Sequence, residues 1–300
     1  MSENDFIGIL QICKGLSLTD CYWVTHPDDQ KTFAEVNLFD NRFSQVLSQI
    51  AFTGYGSSPV SKFRSSPEFT TNGMLPKAWR RKGGKVLLYK GGTSGLANTD
   101  KEPYSEFYAV QVAEAMGIPH VTYGLSKWKG QLCSTCELFT SKDVSFVPAS
   151  TLINTSKISK IIDWYDDHGW KNDLADMLVL DAIIRNTDRH LGNFGFLVDN
   201  HTNQLLRPAP VFGNGLSLYC YVMDNDLNNL SEQEKTLAPA LYANFDEVAL
   251  HVIGQKQKQE LRHLLTFRLK KHGRYNLSDE RVKMLESSIQ EKARYLLESA

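Results

Sequence analysis

The chain has 300 residues, 42% of them hydrophobic and 11% aromatic, which suffices for one large core or two lobes of an ordinary soluble globular protein. Its 33 basic and 34 acidic residues nearly cancel, so no global field draws it to nucleic acid or to an anionic membrane, and only a local basic stretch, Lys77 to Lys85, stands out. The acidic start MSENDF lacks a signal-peptide pattern, no apolar run approaches membrane-spanning length, and five scattered cysteines argue against a disulfide framework, so a cytoplasmic protein is expected.

In chain order, residues 5 to 55 mix short apolar runs with a predicted helix from Phe43 to Phe52, closed by the glycines of FTGYGSSP. They read as the outer part of an N-terminal lobe. Thr70 to Lys77 (TTNGMLPK) is a loop in which Gly73 lets backbone amides approach an anion; a surface turn without function would look the same. Lys85 to Tyr89 (KVLLY) reads as a short strand that ends at Lys90 and enters the loop GGTSG. A helix is predicted from Ser105 to Met116, with Phe107, Val110 and Ala113 or Ala115 on one face, Glu106 in its first turn, and Gly117 then Pro119 ending it.

Val121 to Leu125 and Gln131 to Phe139 read as two strands around a Lys-Gly turn, completing a small mixed sheet. Cys133 and Cys136 fall on the second strand, where two buried thiols are a better reading than a metal or redox pair. Residues 141 to 156, rich in Ser, Thr and Lys, resemble a connector, dividing an N-terminal lobe (1–140) from a helical C-terminal lobe (141–300). The helix predicted from Asn172 to Ile184 places Asp181 beside buried apolar groups, so that carboxylate needs partners, which backbone N–H groups or Arg189 could supply. Leu261 to Leu269 and Val282 to Leu297 complete the set as amphipathic helices.

The chemistry lies just beyond the Asn172 to Ile184 helix. Asp188 and Asn193 have the D-x-x-x-x-N spacing of a protein-kinase catalytic loop, in which the acid takes the proton of the acceptor hydroxyl and the carboxamide holds magnesium. Asn186 and His190 crowd further ligand-capable groups into the same loop. Taken singly, Asp188 reads as a loop acid paired with Arg185 or Arg189, and His190 as a packed or solvent histidine. Lys90 at a strand end and Glu106 on the next helix supply the lysine and carboxylate that kinases use to orient phosphates. Their joint occurrence upstream of Asp188 weakens the bland reading of each. No Walker-type phosphate loop is present.

The strings NTDRHLGNFGFL and PAPVFGNGLSL resemble the catalytic and metal-binding segments of the HipA-like serine/threonine kinases, bacterial enzymes of toxin and antitoxin systems. The loop pattern N-x-D-x-H-x-x-N is matched by Asn186, Asp188, His190 and Asn193. The resemblance covers roughly residues 65 to 270 and implies an α+β, two-lobed protein-kinase-like fold, with a mixed or antiparallel sheet and a helix in the N-lobe and a mainly helical C-lobe. It implies ATP and Mg2+ as cofactors, Asp188 as catalytic base and Asn193 as a magnesium ligand. Lys90, Glu106, Gly73, Glu137, Phe139 and His190 become the nucleotide-site residues, with Glu137 to Phe139 as the strand into an adenine-binding hinge. TTNGMLPK resembles the family's phosphate loop, which can carry an autophosphorylated serine; Thr70 or Thr71 is the nearest hydroxyl here. The implied partners are a protein with a Ser or Thr acceptor and an antitoxin protein, with no membrane and no direct nucleic-acid contact.

One departure matters more than any single match. Where the pattern has an aromatic residue followed by a metal-binding Asp, Phe212 is followed by Gly213, and Asp199, Asp224 and Asp226 lie too far along the chain to substitute. Three readings compete: an inactivating substitution in an otherwise active kinase, which the retained Asp188, Asn193, Lys90 and Glu106 favour; a pseudokinase that binds nucleotide or a partner; or a metal held weakly by Asn214 with Asn193.

Overall fold

A computed structural model describes residues 3–55, 65–71, 75–95 and 99–300. Three helices, α1 (Glu3–Cys13), α2 (Phe33–Val36) and α3 (Gln45–Thr53), lead to a 3-10 turn at Pro67–Phe69. Helix α3 starts later than its apolar pattern suggests because the Ser44 side chain caps it, accepting from the Leu47 N–H, and Gly54 at φ +72° ends it. Phe43 is left outside the helix, buried with the Arg81 guanidinium over its ring.

The strands β1 (Lys77–Lys82) and β2 (Lys85–Gly91) precede α4 (Glu102–Met116), and β3 (Tyr123–Trp128) and β4 (Gln131–Glu137) follow it. They form one sheet in the order β1-β2-β4-β3, with every pairing antiparallel rather than mixed. The β3–β4 turn places Lys129 and Gly130 both at positive φ, the conformation whose twist matches a tight hairpin. Helix α4 is buried on almost every side, Glu102 and Glu106 included, and not along one face as expected. It is wedged between the sheet and the helical body, and the stripe of Tyr104, Phe107, Gln111 and Glu114 keeps contact with water.

The remainder contains β5 (Val144–Pro148), α5 (Ala149–Leu152), α6 (Ile158–Asp167), α7 (Lys171–Ile184), β6 (Gly195–Asp199), β7 (Leu205–Pro208), α8 (Leu230–Glu234), α9 (Phe245–Val252), α10 (Gln255–Arg262) and α11 (Asp279–Ser299). A second antiparallel sheet has the order β5-β6-β7. Residues 141 to 156 are therefore not a plain connector: Ser145 and Phe146 are buried on β5, and the Ser145 hydroxyl is satisfied by Asn200. At Gly195 a Cβ would fall 2.1 Å from the Val147 carbonyl oxygen, so only glycine lets β5 and β6 approach this closely. The helix expected over Leu261 to Leu269 stops at Arg262; Leu264 and Leu269 reach the core from irregular chain, where Glu286 of α11 accepts the Leu269 N–H at 2.9 Å.

The main core joins α4, α7, α9 and α11 through Tyr108, Leu178, Leu180, Ala249, Ile289 and Leu296. It fixes α4 and the end of α7, the two elements that carry Glu106 and the loop of Asp188, in one packed body. Among the described residues no helix is long and apolar enough to cross a membrane.

Candidate active site

Lys90 stands near the end of β2, and Glu106 lies one turn into α4. Their Nζ and Oε1 atoms are 2.8 Å apart, with Glu106 1% exposed. Burial alone would lower the Lys90 pKa, but the charge and hydrogen bond of Glu106 outweigh it and raise the value. The second Glu106 oxygen accepts the Asn214 N–H at 2.8 Å. One carboxylate thus ties the strand lysine to the loop that follows Phe212.

One turn earlier, Glu102 accepts from the Thr93 N–H (3.1 Å), the Thr93 hydroxyl (2.6 Å) and the Tyr221 hydroxyl (3.0 Å). Sequence reasoning missed it; the i, i+4 spacing of Glu102 and Glu106 was the available signal, since it puts both on one side of a helix.

Helix α7 ends at Ile184, and Arg185 caps it at φ +54° while its guanidinium pairs with Asp246 at 2.7 Å. Arg189 is fully buried. It binds Asp181 through Nε (2.9 Å) and a terminal nitrogen (3.0 Å), and it donates to the Asn193 carbonyl (2.9 Å), the Phe212 carbonyl (2.6 Å) and Asn214 Oδ1 (2.7 Å). This guanidinium fastens α7, the catalytic loop and residues 212–214 to one another. Burial raises the Asp181 pKa and Arg189 opposes it, so the carboxylate has the partner its position demands. Both arginines are engaged elsewhere, which excludes the reading of Asp188 as the partner of Arg185 or Arg189.

Asp188 is half-buried, and its N–H is held by Asn186 Oδ1 at 3.1 Å. Asn193 Nδ2 donates to the Asp188 carbonyl (2.7 Å) and to Oδ2 (3.1 Å), closing the loop on itself. His190 is exposed, and its Nδ1 accepts the Gly192 N–H at 3.0 Å.

Gly213 adopts φ +72°, and a Cβ built on it would lie 3.5 Å from Asn193 Cγ and 3.8 Å from Oδ1. Position 213 therefore faces the carboxamide of the catalytic loop. Asn214 turns the other way: it is fully buried, with Oδ1 accepting from Arg189 at 2.7 Å and from Asn186 at 3.4 Å. This overturns the reading in which Asn214 and Asn193 hold a metal together. The oxygens left for magnesium are those of Asp188 and Asn193, and among the described residues no three His, Cys, Asp or Glu side chains converge. Magnesium favours a near-octahedral oxygen set that includes carboxylates, so the residues as they stand do not complete its site.

The Glu137 carboxylate is exposed and pairs with Lys85, so its side chain points away from the cleft. Phe139 forms an aromatic triad with Phe146 and Phe212, with centroids 5.3 to 5.8 Å apart, beside the turn to Gly213. Gly73 lies outside the described residues. Thr71 donates to the Pro67 carbonyl at 2.7 Å and accepts the Trp79 indole N–H at 3.0 Å. Cys133 and Cys136 are buried, and burial pushes their thiols up to about 11 and about 12, which suits packing and not reactivity. The structure thus brings Lys90 and Glu106 into contact, closes Asn193 onto Asp188, and sets Lys90 within electrostatic reach of Asp188.

No family model matches the chain. It is 26% identical over 132 residues to the serine/threonine-protein kinase CtkA of Helicobacter pylori, an alignment covering 39% of this chain and 40% of that protein. The chain therefore spans well under half the length of the curated relative it matches. The crystal structure of the H. pylori proinflammatory kinase CtkA superposes with a TM-score of 0.56 at 17% identity, over 74% of this chain and 92% of that one. The HipA of a Shewanella oneidensis toxin–antitoxin complex with HipB and operator DNA superposes with a TM-score of 0.47 at 10% identity, over 98% of this chain and 79% of that one. Over part of its sequence the chain is thus distantly similar to a serine/threonine-protein kinase, and its α+β fold is that of the CtkA kinase structure.

Proposed function

We propose that the chain is a nucleotide-binding serine/threonine protein kinase in architecture, with phosphoryl transfer curtailed at position 213. The supporting observation is an intact kinase frame with one missing carboxylate. Lys90 and Glu106 are paired at 2.8 Å, Asn193 closes onto Asp188, and Gly213 faces Asn193 without a side chain. In this reading residues 1–140 form the N-lobe and 141–300 the C-lobe, with ATP between them. Lys90 orients the phosphates, Glu106 holds Lys90 in place, and Asp188 takes the proton of an acceptor Ser or Thr hydroxyl on a protein substrate. Phe139, His190 and the backbone near Glu137 border the nucleotide. Magnesium neutralises phosphate charge in kinases that bind it, and the present residues leave its site incomplete.

A second reading, a pseudokinase that holds nucleotide or a protein partner without turnover, is favoured by the same glycine. An antitoxin is the partner class that the HipA-like catalytic loop suggests. The test is phosphate incorporation from γ-labelled ATP by Gly213→Asp, with Asp188→Asn in the same background as the control.

A further inference from the structure

The cleft gains a cation on the same side as Lys90. Strands β1 and β2 pair antiparallel with Lys77 directly opposite Lys90, so both side chains leave one face of the sheet from Cβ atoms roughly 5 Å apart. Lys90 reaches Glu106 from there. Lys77 is half-buried at the same place, within electrostatic reach of Lys90, Glu106 and Asp188. Its ammonium is pushed down to about 8, by burial first and then by the charge of Lys90, with Glu106 and Asp188 pulling it back up. Lys77 therefore borders both the lysine that would orient phosphates and the acid of the catalytic loop.

The opposite wall has lost negative charge. Gly213 brings no carboxylate toward Asn193, and Asn214 spends its oxygen on Arg189 and Asn186. In a metal-served phosphate site, acidic side chains recruit a divalent cation, and that cation neutralises the phosphates. Here the recruiting acid at 213 is absent, so less repulsion opposes a bare polyphosphate, and a second lysine, Lys77, stands opposite Lys90 across the β1–β2 ladder. Lysine suits such a role, because it binds phosphate as a compact charge with three donors on a flexible stem.

We propose that the cleft binds a nucleoside polyphosphate without a divalent cation, with the Lys77 and Lys90 ammonium groups together taking the phosphate charge that a metal would otherwise neutralise. This rests on the nucleotide-cleft reading above and specifies how that site is charged. It separates binding from turnover: the nucleotide is held in a metal-free complex whose γ-phosphate is not activated. The complex weakens with ionic strength, as expected of partly exposed charge pairing.

Isothermal titration of the full chain with ATP, once with EDTA and once with magnesium, tests this. The native chain should bind ATP in EDTA about as tightly as in magnesium. Lys77→Ala should weaken binding about tenfold or more, the scale of losing a charge-assisted hydrogen bond to phosphate, and Lys77→Arg should recover most of it. Gly213→Asp should make binding depend on magnesium. Native binding that requires magnesium, or metal-free binding indifferent to Lys77→Ala, overturns the inference while leaving the nucleotide cleft standing. Absence of binding by both the native chain and Gly213→Asp, with and without magnesium, overturns the cleft reading itself.

Discussion

Gly213 faces Asn193: a Cβ on the glycine would lie 3.5 Å from the carboxamide carbon, at ordinary van der Waals distance. A side chain fits in that direction without displacing backbone. The φ of +72° is the only local obstacle, and Asp and Asn tolerate the left-handed region better than other L-residues. Gly213→Ala is expected to cost about 1 to 2 kcal/mol, and Gly213→Asp less, when urea midpoints are compared at equal slope. A larger loss for Asp than for Ala would show that the position does not accept a carboxylate.

The fully buried Arg189 and Asp181 form the fastening of the catalytic loop. Asp181→Ala leaves a guanidinium buried without its counter-charge, which typically costs about 3 to 5 kcal/mol, whereas an exposed pair such as Lys160 and Asp163 is worth under about 1 kcal/mol. Denaturant unfolding of Asp181→Ala and Asp163→Ala separates the two. Near-equal losses would mean that Arg189 finds other partners among the carbonyls it already reaches.

Lys77 sets a pH dependence whose sign is fixed by its lowered pKa. Folded, it loses its proton near about 8; unfolded, it holds it to about 10.5. For this group the fold carries its full desolvation penalty below pH 8, and the penalty is relieved progressively as pH rises from 8 to 10.5, so its contribution to stability improves across that window. Phosphate affinity moves oppositely, because the ammonium is lost. Metal-free ATP binding is expected to weaken from pH 7 to pH 9 in the native chain and to change much less in Lys77→Ala. Lys90, Glu106 and Asp188 are the other charged groups that act on Lys77.

Glu106 holds Lys90 and the Asn214 N–H at once. Glu106→Gln keeps an acceptor but removes the charge, so Lys90 loses its fixed orientation. In the Gly213→Asp background this substitution is expected to reduce phosphate incorporation about tenfold or more, with a smaller change in nucleotide affinity. Stopped assays at saturating ATP, set beside titrations, distinguish the two effects.

Much of this site is written in local sequence. The strand bearing Lys90, the helix bearing Glu106 and the D-x-x-x-x-N spacing each depend on neighbours within a few residues, and strand and helix form there, the helix starting one turn earlier at Glu102. Features governed by distant partners were not legible. Asn214 turns inward because Arg189, 25 residues away, takes its oxygen. Lys77 joins the cleft only through its cross-strand register with Lys90. Leu261, Leu264 and Leu265 follow a helical spacing, but Leu264 and Leu269 reach the core from irregular chain beside α11. The polar stretch 141–156 hides β5, whose Ser145 is buried because Asn200 satisfies it.

The most direct measurement is phosphate incorporation from γ-labelled ATP into a protein acceptor or into the chain itself, with magnesium. The native chain and the Gly213→Asp, Asp188→Asn double variant should remain near background, while Gly213→Asp alone should incorporate label on Ser or Thr. A Gly213→Asp protein that is folded, binds nucleotide and stays as inert as the double variant would contradict the assignment of position 213 as the missing element of a phosphoryl-transfer site.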